Sequence, residues 1–188
     1  MTPPLVSSPV PAGAALPLKG FKAYELDTSC NPMPAYNRLD FYKVSLVTGH
    51  IVVQYADRNL ELNGTHLFFA NPRVPYATLL LSAKVTGYAC LFTAEFVQVN
   101  NGLANLHQSP LFRPGGLPVC RLEGEQATYS TTLFEKMLAA QSLDYAFKGE
   151  LIGSYLQLLM HEGLRMQRWE NLWSPCPPAS GSASHFLR

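Results

Sequence analysis

The sequence predicts a mainly β fold, a small β-barrel followed by an antiparallel pair of helices. Three observations carry that expectation. Between Arg38 and Phe96, short β-branched and aromatic runs follow one another with no helical period. Each run is closed by a turn signal. From Glu123 onward the apolar spacing changes to one residue in every three or four, the period of an amphipathic helix.

Taken in order, Leu39–Val47 stops at Thr48-Gly49, and Ile51–Ala56 stops at Asp57-Arg58-Asn59. Leu60-Glu61-Leu62 ends at Asn63-Gly64, a strong hairpin dipeptide. His66–Ala70 runs into Asn71-Pro72-Arg73-Val74-Pro75, Leu79-Leu80-Leu81 into Ser82-Ala83-Lys84, and Gly87–Phe92 completes the set. Asn100-Asn101-Gly102 and Pro114-Gly115-Gly116 mark later loops. In the first helix, opened by Glu123-Gly124-Glu125-Gln126 and ending near Gln141-Ser142, the apolar positions are Leu133, Phe134, Met137 and Leu138. In the second, Leu151, Ile152, Tyr155, Leu156, Leu158, Leu159 and Leu164 share one broad face. The barrel is expected over 21–121 and the helices over 122–172. Residues 1–20, rich in proline, read as a disordered arm, and the Pro/Ser/Gly-rich 173–188 as a disordered tail.

A chain of 188 residues with 47% hydrophobic content can bury one sizeable core. Fourteen basic and thirteen acidic residues leave a net charge of +1 without any long basic cluster, which argues against autonomous DNA binding. Cys30, Cys90, Cys120 and Cys176 are scattered with no Cys-x-x-Cys pair, which argues against a zinc ribbon or a disulfide framework and favours a reduced, cytoplasmic setting. No signal peptide and no run of 18 apolar residues is seen, so neither secretion nor membrane insertion is expected.

Arg38–Val44, the turn from Asn71-Pro72 to Pro75-Tyr76, and Gly87–Thr93 resemble the cupin-like sensor domain of AraC-family transcription regulators. Ser109-Pro110-Leu111-Phe112, Leu133–Leu138, Glu150-Leu151-Ile152 and His161–Leu164 continue the resemblance, which covers roughly Phe21 to Arg168. It implies a module that senses a small-molecule effector and dimerises, ahead of helix-turn-helix units that bind DNA. The Ser174–Ser184 stretch cannot hold a recognition helix, so the expectation is a regulator that stops before those units and reaches DNA only through them or through a full-length partner. The resemblance also suggests an arm closing over the ligand; an arm without a role is the plainer reading and is kept.

Metal-dependent cupins hold a metal by His-x-His-x3-Glu and a later His. Aligned through Asp40-Phe41-Tyr42, the four positions are Asn37, Leu39, Lys43 and Tyr76, none a normal ligand, so no metal and no cofactor is expected. Strand alternation puts Asn37, Leu39, Phe41, Lys43 and Ser45 on one face, into the barrel if the parity of metal cupins holds. A lysine among apolar neighbours needs a protein carboxylate or an anionic or hydroxylated ligand, unless it snorkels out through the barrel mouth. The candidate ligand-binding residues are Asn37, Lys43, Ser45, Tyr55, Tyr76 and Tyr88, with Tyr42 a further ring; strand tyrosines otherwise serve packing. His50 reads as a turn residue, His66 as a strand start, and no two histidines are spaced to build a site. Gly-x-Ser-x-Gly, phosphate-loop and dinucleotide motifs are missing, so no enzyme is expected.

The helix pair either caps the barrel or also pairs with a second copy, through Leu151, Tyr155, Leu156 and Leu159, to give a homodimer. The function expected is effector sensing and dimerisation for transcription regulation. A stand-alone small-molecule-binding cupin and a metal-free cupin sugar isomerase or lyase are the alternatives.

Overall fold

The computed structural model describes residues 18–29, 41–101, 106, 109–116 and 118–173. Its elements are β1 (Phe21–Asp27), β2 (Tyr42–Tyr55), β3 (Arg58–Ala70), β4 (Tyr76–Leu80), β5 (Thr86–Phe92), α1 (Ala94–Asn101), β6 (Val119–Leu122), α2 (Gly124–Gln141) and α3 (Lys148–Trp173). All strand pairings are antiparallel, in the order β1-β5-β2-β3-β6, with β4 paired to the second half of β2. The expected mainly β fold with C-terminal helices is present. The order does not return on itself among the described residues, so the sheet is rolled and open where a closed barrel was expected.

Two of the expected turns are absent. Thr48-Gly49 and Asn63-Gly64 lie inside β2 and β3, where Gly49 pairs with Gly64. Their φ values of 150° and 99° suit residues without a Cβ. With no side chain on either strand, the pair bends the hairpin at one point and does not reverse the chain. The reversal comes at Ala56-Asp57, next to the Asp57-Arg58-Asn59 signal, with Ala56 at φ 54°. His50 and His66 are therefore mid-strand residues, where a turn and a strand start were expected.

The bend lets the hairpin fold over itself. Tyr55 follows Ser45 by ten positions in β2, about 33 Å along a straight strand. Yet its ring lies 5.8 Å from that of Phe68, which pairs with Ser45. Asn71 fastens the return: its backbone N–H reaches the Tyr55 hydroxyl at 3.5 Å and its Nδ2 donates to the Phe112 carbonyl at 2.6 Å.

The roll gives the sheet an outer and an inner face, each with its own core. Outside, Phe21, Val44, Leu46, Leu67, Phe69, Cys90 and Phe92 pack against Phe134 and Met137 of α2 and Ile152, Leu156 and Leu159 of α3. Inside, Leu26, Val47, Ile51, Val53, Tyr55, Phe68, Val85 and Ala89 form a second cluster. Helix α3 comes so near the outer face at Gly163 that a Cβ there would meet the Phe69 ring at 2.5 Å. Helix α2 docks beside edge strand β1, where the Gln141 amide bonds both the N–H and the carbonyl of Ala23 at 3.0 and 2.9 Å. Among the described residues no helix is long and apolar enough to cross a membrane.

Candidate functional site

The inner face carries polar groups that the fold does not satisfy. Lys43 and Ser45 are neighbours on one side of β2, and the register places Phe68 opposite Ser45 and His66 opposite Val47 on β3. Ser45 and His66 are thus diagonal neighbours, about 7–8 Å apart at Cα. All three polar residues are over nine-tenths buried, with Lys43 5%, Ser45 2% and His66 7% exposed. Ser45 Oγ and His66 Nδ1 have no hydrogen-bond partner among the described residues. The wall beside them is aromatic: the Phe68 ring stands edge-on to Tyr55 and, at 5.3 Å, to Tyr76, and Lys43 Nζ lies 5.7 Å from the centre of the Tyr76 ring.

Of the residues picked from the sequence, Lys43, Ser45, Tyr55 and Tyr76 come together here. Asn37 lies outside the described residues, as does Leu39. Tyr88 is on the outer face, opposite Leu46 of β2; it stacks on Phe134 of α2 at 5.9 Å and its hydroxyl reaches Glu135 at 3.4 Å. Tyr42 is also an outer-face core residue, against Phe92 and Phe112. Strand parity separates these two from the site.

The electrostatics single out Lys43. Among the described residues no carboxylate lies within ion-pairing distance of its Nζ. Burial lowers its pKa from 10.5 to about 8, slightly offset by Cys90. The Cys90 thiol cannot act as counter-ion, since burial pushes it up to about 12 and keeps it neutral. His66 is held below 6.5, first by burial and then by Arg121, against a raising contribution from the Gly64 backbone. The ammonium of Lys43 is therefore mostly protonated at pH 7 and buried with no carboxylate beside it among the described residues, which costs on the order of 3 kcal/mol.

That cost sets a pH dependence. The unfolded chain keeps the Lys43 proton up to about 10.5 and the folded chain releases it near 8, so the folded state gains stability as pH rises between those values. Lys43→Met removes the buried charge and is expected to be more stable than the wild type at pH 7 by about 2–3 kcal/mol, with the gap closing between pH 8 and 10. Urea unfolding of both proteins across that range measures it; a variant less stable than the wild type at pH 7 shows that the ammonium has a partner in the fold.

His66 and Phe68 were missed in the sequence for one reason. Reading Asn63-Gly64 as a turn cut β3 in two and broke the alternation that puts Phe68 and His66 on the inner face.

The dimer residues divide differently. Leu156 and Leu159 are fully buried within the protomer, against the expectation that they pair with a second copy. The fold uses their side of α3 to cover the sheet. Leu151 and Tyr155 are half-buried, and Leu158 is 44% exposed.

No protein-family model matches the chain, and no curated protein matches it. Among solved structures it is similar to the AraC-like transcriptional activator CuxR, at 15% identity with a TM-score of 0.41, covering 78% of this chain and 48% of that one. It is also similar to ToxT from Vibrio cholerae, at 10% identity with a TM-score of 0.45, covering 79% of this chain and 58% of that one. The chain thus spans about half the length of these proteins.

Proposed function

We propose that this chain is the effector-sensing and dimerising module of an AraC-type transcription regulator, with its small-molecule site on the inner face of the rolled sheet. The observation that carries the reading is a buried lysine, Lys43, with no carboxylate in ion-pairing reach among the described residues, beside Ser45 Oγ and His66 Nδ1, which have no hydrogen-bond partner among those residues, and an aromatic wall. Polar groups left unpaired in a core are costly, and a ligand that pairs with them recovers that cost on binding. The sequence resemblance over 21–168 supplies the regulatory context. DNA would be reached through helix-turn-helix units outside the described residues or on a partner chain.

Dimerisation belongs to the outward side of α3. Leu151, Tyr155 and Leu158 follow one another at helical spacing on a helix whose opposite side is buried, and Lys136 sits 5.9 Å over the Tyr155 ring. The whole chain fused to a DNA-binding domain that acts only as a dimer should drive a reporter well above the level given by that domain alone. A Leu158→Glu variant should return it to baseline while unfolding at nearly the wild-type temperature. A wild-type fusion at baseline overturns the dimer.

A further inference from the structure

The register sorts the charges of the sheet by face. On the inner face the strands place Lys22, Lys43, Arg58 and Arg121, all cationic, with His66, whose pKa burial lowers; His50 is on the other face beside Glu61. The strand carboxylates Glu25, Asp27 and Glu61 all fall on the other face. A chain with a net charge of only +1 thus has a sheet that is basic inside and carries its acids outside. Within the inner face Lys22 and Lys43 flank the same residue, Leu91, from β1 and β2. Arg121 is paired with Glu123 at 3.0 Å, just beyond its strand; among the described residues Lys43 has no such partner.

We infer that the effector is an organic monoanion, a carboxylate on an apolar or aromatic body, with its charge at Lys43, Ser45 and His66 and its body against Phe68, Tyr55 and Tyr76. This rests on the sensing role proposed above and names the class of effector. One buried ammonium balances one negative charge, and the Ser45 hydroxyl can donate to a carboxylate oxygen. A neutral ligand would leave the ammonium uncompensated. A dianion would need a second buried cation, whereas Lys22 is only half-buried and Arg58 and Arg121 are exposed. The carboxylate supplies the counter-ion that the described residues do not, and the rings of Phe68 and Tyr76, 5.3 Å apart, are the apolar groups nearest to it on this face.

The probes are 3-phenylpropanoate and 4-phenylbutanoate, each beside its primary amide, measured by calorimetry on the full chain and on Lys43→Met. The carboxylates should bind the wild type, bind the variant at least about tenfold more weakly, and outbind their amides on the wild type. Between pH 7 and 9.5 carboxylate affinity should fall for the wild type and stay level for the variant. Lys22 on β1, Arg58 and His66 on β3 and Arg121 on β6 face the same side and remain in both proteins, as do Tyr24, Tyr55 and Tyr76. The difference between the two profiles therefore belongs to Lys43. A second readout needs no variant: at pH 8 carboxylate binding should take up about half a proton, seen as a dependence of the heat on buffer ionisation, because the anion stabilises the protonated lysine. Amides and carboxylates binding alike, with Lys43→Met without effect, overturn the monoanion and leave the sensing site standing. If none of the four binds at millimolar concentration, both the monoanion and the inner-face site fall.

Discussion

Gly87→Ala is expected to disrupt the sheet at its centre. Gly87 lies in β5 between Leu26 of β1 and Val47 of β2, in the middle of three paired strands. A Cβ built there would lie 1.8 Å from the Leu46 carbonyl oxygen, which is backbone and cannot swing aside. Its φ of 147° is one that alanine rarely adopts. Strain of that kind costs about 1–3 kcal/mol, and the clash forces β2 and β5 apart, breaking ladder hydrogen bonds worth roughly 1 kcal/mol each. A total of about 4 kcal/mol would lower the midpoint of thermal unfolding by roughly 8–16 °C in a chain of this size. A shift of a degree or two would mean that the two strands are not held this closely.

Leu156→Asp should be more severe. Leu156 is fully buried between the sheet and α2, with Ile152 and Leu159 in the same cluster. Truncating a buried leucine alone costs about 2–5 kcal/mol, and an unpaired carboxylate in its place adds several more. The sum approaches the whole stability of an ordinary domain, about 5–15 kcal/mol, so the variant should be recovered unfolded or aggregated. Leu158→Glu, at a site 44% exposed two positions along, should change stability by no more than about 0.5 kcal/mol. Circular dichroism and light scattering on the pair separate the two roles of α3. A folded, soluble Leu156→Asp monomer would restore Leu156 to a dimer interface and remove it from the protomer core.

The local rules of the chain were strong enough to define most elements. Period two over Tyr42–Ala70 and Gly87–Phe92, and the helical period after Glu123, are properties of neighbouring residues, and the structure has strands and helices there. Helix α2 ends at Gln141, where the apolar period ends. Parity along β2 is local too, which is why Lys43, Ser45 and Tyr55 share a face.

Contact between distant segments decided the rest. Asn63-Gly64 makes a hairpin turn in isolation, but opposite Gly49 it is a bend, and only the pairing of the two strands determines which. Tyr88 and Tyr76 look alike in sequence; the faces on which β5 and β4 join β2 send one to α2 and the other to the inner face. The apolar width of α3 showed that it packs against something, but whether that is the sheet or a second copy depends on where the helix lies. At Gly163 it lies on Phe69. The composition of the chain, nearly neutral, contained no sign of the basic inner face, because charge totals are blind to which side of a sheet a residue takes. Sequence periodicity therefore determined the elements and the face each residue occupies within one strand, while the pairing of strands far apart in the chain determined which faces meet, and with them the site.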